Sequence, residues 1–110
     1  MKPTTLQEAI TALKEEIGAD GQTKLLNSSK EELVSYHHGL GALIRNSFGL
    51  WSVDSELMKH MTSLGFSHPD DVSASIIKEC WLQLRGLPSE IQQDVIEYKK
   101  FWDATKKDSK

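Results

Sequence analysis

Two segments of the chain hold residue types that could do chemistry. The first reads Tyr36-His37-His38-Gly39-Leu40-Gly41 and runs on to Ile44-Arg45-Asn46-Ser47-Phe48-Gly49-Leu50-Trp51. The second is His68-Pro69-Asp70-Asp71-Val72-Ser73. Arg45 is one of two arginines in the sequence and sits where an apolar helical stripe ends. An arginine on a largely apolar surface wants a carboxylate, because an unpaired buried charge is strongly unfavourable. Asp70 and Asp71 are the acids of the other segment. Arg45 and Asn46 are therefore expected to lie near His68, Asp70 and Asp71. Two chemistries fit such a meeting. One is a salt bridge tying two helices. The other is a cleft that binds an anion or a partner, with His38 joining the arginine.

Metal chemistry fits poorly. His37 and His38 are adjacent, so on a helix they diverge by about 100°. The i, i+4 histidine pair of a helical zinc site is absent, and His60 and His68 are remote in sequence. Cys80 is the single cysteine, which excludes an internal disulfide and a thiolate-based zinc site. Neighbouring aspartates on a helix converge poorly on one divalent ion. No phosphate-binding glycine loop, nucleophile elbow or Cys-His pairing is present. No metal, cofactor or catalytic residue is assigned. Gly39 and Gly41 stand inside a helical pattern, where each costs about 1 kcal/mol relative to alanine. Close packing of another helix, the approach of a ligand or partner backbone, or a helix break would each account for them.

The elements that must position these residues are helices. Strand alternation never persists, and the dominant period is 3.6. Leu6, Ile10, Leu13 and Ile17 form one stripe, started by Pro3 and Thr4 or Thr5 and stopped by Gly18. Lys24–Asn27 reads as a short apolar step. Ser29 and Glu32 have capping-box spacing ahead of Leu33, Tyr36, Leu40, Leu43 and Ile44. Residues 51–54 read as a loop, and Asp54 or Ser55 caps a short helix that ends at Gly65. Pro69 suits a first helical position, with Ser67 or His68 as N-cap and Asp71 as a back-capping carboxylate. That helix carries Val72, Ile76, Ile77, Cys80, Trp81 and Leu84. The last helix starts at Pro88 or Ser89 and carries Ile91, Val95, Tyr98 and Trp102, with a frayed tail at 106–110. The reading is an all-α bundle of about five helices with short loops, near residues 5–17, 30–47, 55–64, 69–85 and 89–105.

Composition agrees with one small domain. The 110 residues are 38% hydrophobic and 26% charged, and the net charge of -3 disfavours nucleic acid as partner. No run approaches the roughly 20 apolar residues of a membrane span. The N-terminal stretch lacks the apolar core of a secretory leader. With the lone cysteine, a cytoplasmic setting is expected.

The motif order Pro-Thr-x-Leu-x-x-Ala-Ile, Ser-x-Glu-Glu-Leu, Tyr-His-His-x-x-Gly, Ile-Arg-Asn-x-Phe-Gly-Leu-Trp and His-Pro-Asp-Asp-x-Ser resembles a family of small bacterial and phage domains of unknown function. The matching pieces are Pro3 to Ile10, Ser29 to Leu33, Tyr36 to Gly39, Ile44 to Trp51 and His68 to Ser73. The resemblance covers roughly residues 3 to 85. It implies a helical domain over residues 1–86, with 87–110 as a C-terminal helix packed on it or used for association. It carries no activity to transfer, and it marks Arg45, Asn46, Trp51, His68, Asp70 and Asp71 as motif positions.

Small size, acidic balance and the lack of a complete catalytic constellation favour a non-catalytic protein-binding module. In a bacterium or phage that would be a regulator, an immunity protein or an inhibitor of a host system. The alternative is a small enzyme or a nucleotide- or anion-binding protein using an Arg/His/Asp cleft. Candidate binding residues are His38, Arg45, Asn46, Trp51, His68, Asp70 and Asp71. Tyr98, Phe101 and Trp102 are candidate interface residues. Phe101 and Trp102 project about 100° apart, so one is expected on the domain and the other on something else. A homodimer is the simplest occupant, and packing within the chain's own helices and docking of a different protein are the others.

Overall fold

The structure is a computed structural model that describes residues 2–108, with side chains through residue 105. The all-α expectation holds: among the described residues there are five α-helices and no strand. The first, α1, spans Leu6–Leu26. Thr5 caps it by accepting from the Glu8 amide at 3.2 Å, and the Glu8 carboxylate accepts from the Thr4 amide at 2.9 Å. The helix breaks at Gly18, as expected, but resumes past it to Leu26. Gln22 reaches back across the break and donates to the Lys14 carbonyl at 2.9 Å. The short step expected at 24–27 is thus the end of a longer second limb.

The capping box forms as expected. The Ser29 amide donates to Glu32 Oε1 at 2.8 Å, and the Glu32 amide donates to Ser29 Oγ at 3.2 Å. The run behind it is not one α-helix. A 3₁₀ segment, Glu31–Tyr36, passes into a π turn, His37–Gly41, and only then into α2, Ala42–Ser47. The two glycines fall in the wide π turn, a local form often found where a helix does special work.

Next come α3, Glu56–Leu64, α4, Pro69–Leu84, and α5, Ile91–Asp108. Of the tail expected at 106–110, the helical backbone is described to Asp108, and the side chains lie outside the described residues. Ser55 caps α3 by accepting from the Met58 amide at 3.0 Å. The α4 helix is the spine. It buries Val72, Ile76, Ile77, Cys80, Trp81 and Leu82, and α1 lies along it. Ala9, Ile10 and Leu13 of α1, Ile44 of α2, and Leu57 and Met61 of α3 complete that core. No described side chain of α5 belongs to the fully buried apolar core: Ile91, Val95 and Tyr98 are only partly buried against it.

Polar side chains close the far end of the spine. The Trp81 indole donates to the Ser28 carbonyl at 2.9 Å. The Arg85 guanidinium lies 4.5 Å from the centre of the Trp81 ring and donates to the carbonyls of Leu26 and Ser28. A cation there suits the negative end of α1.

Candidate functional site

The first turns of α4 face two ways. Asp70 and Ser73 are three apart and share one side of the helix. Asp71, Ser75, Lys78 and Glu79 follow at i, i+4, i+7 and i+8 and share another.

On the first side lies Arg45, buried with 8% of its surface exposed. Its Nε sits 3.5 Å from Asp70 Oδ1. Its Nη1 donates to Ser73 Oγ at 3.0 Å, and its Nη2 donates to the His37 carbonyl at 3.3 Å. The Ser73 hydroxyl points its own proton at the Asp70 carbonyl, 2.9 Å away, which leaves a lone pair for the arginine. Gly41 supplies the room. A Cβ there would stand 2.8 Å from Arg45 Nη1. The neighbour that the glycine admits is thus the guanidinium, not a packed helix. The expected ion pair between Arg45 and Asp70 exists, and each guanidinium nitrogen faces a group of the chain itself. The wider cluster does not assemble. Asn46 and His38 are exposed, and Trp51 stands on a separate loop.

On the second side lies α5. The His68 and Trp102 rings stack with centroids 3.7 Å apart and planes 21° from parallel. The Trp102 indole donates to Asp71 Oδ2 at 2.8 Å. His68 holds the N-cap position with no side-chain capping bond, and Asp71 serves the indole rather than the cap expected of it. Phe66 meets Tyr98 at 6.0 Å between centroids. At Gly65, whose φ of 119° favours glycine, an added Cβ would lie 2.4 Å from Val95 Cγ1. Asp94 is buried, accepts from Ser75 Oγ at 2.9 Å and pairs with Lys78. Lys78 also reaches Glu90 at 3.4 Å, which pairs with Lys30 at 2.9 Å. Burial draws the Lys78 ammonium down, but Asp94 and Glu90 outweigh it and hold its pKa above the ordinary value. The buried Glu79 carboxylate accepts from the Ser89 hydroxyl and, at 3.0 Å, from the Glu90 amide, closing the start of the helix.

The candidate binding residues His68 and Asp71 therefore meet the candidate interface residue Trp102 within one chain, and Tyr98 meets Phe66. Phe101 takes the other course and is 59% exposed, edge-on to Trp102. Ser75, Lys78 and Glu79 carry a signal in the sequence, a second stripe of polar residues beside the apolar stripe of α4, whereas Asp94 lies on α5 and carries none until α5 packs on α4.

A third feature is the loop after α2. Gly49 ends the helix with φ 70°, and the Leu50 amide donates back to the Arg45 carbonyl at 3.0 Å while Leu50 itself is buried. Ser55 fixes the other end by capping α3. Between these anchors Trp51 is 62% exposed and Val53 is 92% exposed. A cavity of about 230 Å³ lies beside the loop, lined in part by Pro3, Phe48, Gly49, Ser52 and Asp54.

Among the described residues, no three His, Cys, Asp or Glu side chains gather as a metal-holding group, and no helix is long and apolar enough to cross a membrane. Comparison with curated proteins and with solved structures finds no match. A family match does cover residues 2–84, from the N-terminal arm to the end of α4, and leaves α5 beyond it. By that match the chain belongs to the family described as a domain of unknown function, DUF6794.

Proposed function

We propose that this chain is a non-catalytic protein-binding module of a bacterium or phage, serving there as a regulator, an immunity protein or an inhibitor. The observation that carries the reading is the pinned loop with Trp51 and Val53 in solvent. Single exposed apolar residues are ordinary on a protein surface. Here two large ones stand within three residues, on a loop fastened at both ends by backbone and capping bonds. Loops held on rigid scaffolds carry binding function disproportionately, and tryptophan is enriched among the residues that dominate interface energies. Rigid anchoring lowers the ordering cost of association.

The competing reading, an anion-binding or catalytic cleft, asks for an arginine with donors open to a ligand. Arg45 is buried, and each of its guanidinium nitrogens already faces Asp70, Ser73 or the His37 carbonyl. The loop is therefore the better-supported contact. Affinity capture from host lysate with matched baits tests it. A partner recovered by the wild-type chain, lost with Trp51→Ala and kept with a substitution at exposed Lys59 supports the proposal. Equal recovery by the Trp51→Ala bait, or no recovery by either, counts against it.

A further inference from the structure

We propose that the Trp51 loop and the hollows beside it receive an arginine-bearing segment of a partner protein, the guanidinium laid on the Trp51 indole and its charge held by the carboxylates around the loop. This rests on the reading of the loop as the binding contact and names the chemistry of what binds there.

The three tryptophans of the chain use their rings differently. Trp81 gives its indole N–H to the Ser28 carbonyl and carries the Arg85 guanidinium on its face. Trp102 gives its N–H to Asp71 and its face to His68. Trp51 has neither an N–H acceptor nor a ring or cation on its face among the described residues, and it stands in solvent. Its face is open to a flat cation, and tryptophan is the ring that holds one best.

Charge selects the occupant. Three hollows of about 370, 440 and 230 Å³ adjoin one another around Lys2 and Pro3, which line all three. Their described walls carry the acids Glu8, Glu15, Glu16, Asp54 and Glu56, with Lys2 as the one cation. Elsewhere acids are answered within the chain: Asp94 and Glu90 by Lys78, and Asp70 by Arg45. Here Glu8 accepts from the Thr4 amide and Glu56 pairs with Lys59, but Glu15, Glu16 and Asp54 have no ion pair among the described residues. Lys2 lies along the floor, its Nζ 2.8 Å from where a Gly49 Cβ would stand. The surface keeps a negative excess beside an open indole. A guanidinium answers both, because its plane stacks on a ring while its fork meets carboxylates, and an ammonium offers only a point charge. The exposed Val53 gives the rest of the segment an apolar surface to cover.

Two-dimensional amide NMR spectra of the full chain, titrated with tetra-arginine peptide, test the proposal. The Trp51 indole resonance and the amides of Glu15, Glu16 and Gly49 to Glu56 should move, while the Trp81 and Trp102 indoles stay. In anisotropy titrations of the fluorescein-labelled peptide, Trp51→Ala and the double variant Glu16→Lys/Asp54→Lys should each weaken binding about fivefold or more. Glu31→Lys/Glu97→Lys makes the same change of net charge elsewhere and should alter it less than about twofold. Tetra-lysine should bind more weakly than tetra-arginine. The wild-type spectra need no variant to fold. A Trp51 indole unmoved at millimolar peptide, equal losses from the two charge reversals, or tetra-lysine binding as tightly would overturn the inference. In lysate capture, a partner lost with Trp51→Ala but kept by the Glu16→Lys/Asp54→Lys bait overturns the arginine chemistry and leaves the loop as the contact. A partner kept by both baits overturns the reading of the loop as well.

Discussion

Asp70 and Asp71 are neighbours in sequence, and each serves a different side of α4. Asp70 meets a guanidinium that is buried, held by three acceptors and seated over a glycine. Asp71 meets an indole N–H at the partly exposed end of a helix that adds no apolar side chain to the fully buried core, though it buries Asp94. The first contact joins elements that all lie within the family-matched region. The second joins that region to the helix beyond it. The difference teaches that a charged residue at a helix start gains its role from what the facing element can give back. A desolvated cation demands permanent partners, and the buried ones, Ser73 and the His37 carbonyl, matter most, since water can stand in for the exposed Asp70 carboxylate. A half-exposed indole can return to water at moderate cost.

The largest expected effect follows from the buried side. Arg45→Ala leaves Ser73 and the His37 carbonyl without their donor and opens a void beside Gly41, and should cost about 3 kcal/mol of global stability in urea unfolding. Gly65→Ala comes next. It places a Cβ at positive φ and into Val95, and should cost about 2 kcal/mol, with Gly65→Ala/Val95→Ala recovering the part due to the clash. Trp102→Ala removes a stack and one hydrogen bond at a half-buried site and should cost about 1 to 2 kcal/mol. That loss should be confined to α5, read as faster exchange of its amides with α4 unchanged.

A graded effect should follow from pH. Burial pushes the Cys80 thiol from its ordinary 9.0 up to about 11. Burial, then the Asp71 and Asp94 charges, push the Tyr98 hydroxyl upward from 10.0. Against the opposing effect of burial, Asp94 and Glu90 hold Lys78 above 10.5. All three protons are held more tightly in the folded chain than in the unfolded one. Their contribution is full below pH 9 and falls as pH rises through the folded values. Urea midpoints should therefore drop steadily from pH 9 to 11, and a flat profile would contradict the burial of Cys80 and Tyr98 and the pairing of Lys78. The smallest effect is expected of Asp70→Asn. The Asp70 side chain is 60% exposed, so the pair behaves as a surface ion pair and should cost under about 1 kcal/mol.

Much of this arrangement was legible in the sequence. Apolar spacing located the helices, and Ser29-x-x-Glu32 located a real capping box. Arg45 pointed to Asp70 and Asp71 together, as the acids of the other motif segment, and the face of α4 that each occupies decides that Asp70 is the one it meets. Other parts were not legible for physical reasons. The 3₁₀ and π segments share one continuous stripe with an α-helix, so periodicity cannot separate them. Asp71 looked like a cap because any acid in a first helical turn does so. Its true partner, Trp102, is 31 residues away and is chosen by tertiary packing. Asn46 and His38 were grouped with Arg45 by proximity in sequence, yet on a helix their neighbours point elsewhere. Glu79 and Asp94 were overlooked because acids beside an apolar stripe read as solvent-facing until the helix that buries them is in place.

Native-state hydrogen exchange, resolved by residue, tests most directly the claim that α4 has one permanent face and one separable face. The amides of Val95 to Trp102 should exchange through a local opening, at a free energy clearly below that of Ile76 to Trp81, and Trp102→Ala should lower the first set alone. If both sets exchange at the same free energy and fall together in Trp102→Ala, α5 is an inseparable part of the core and the account is wrong.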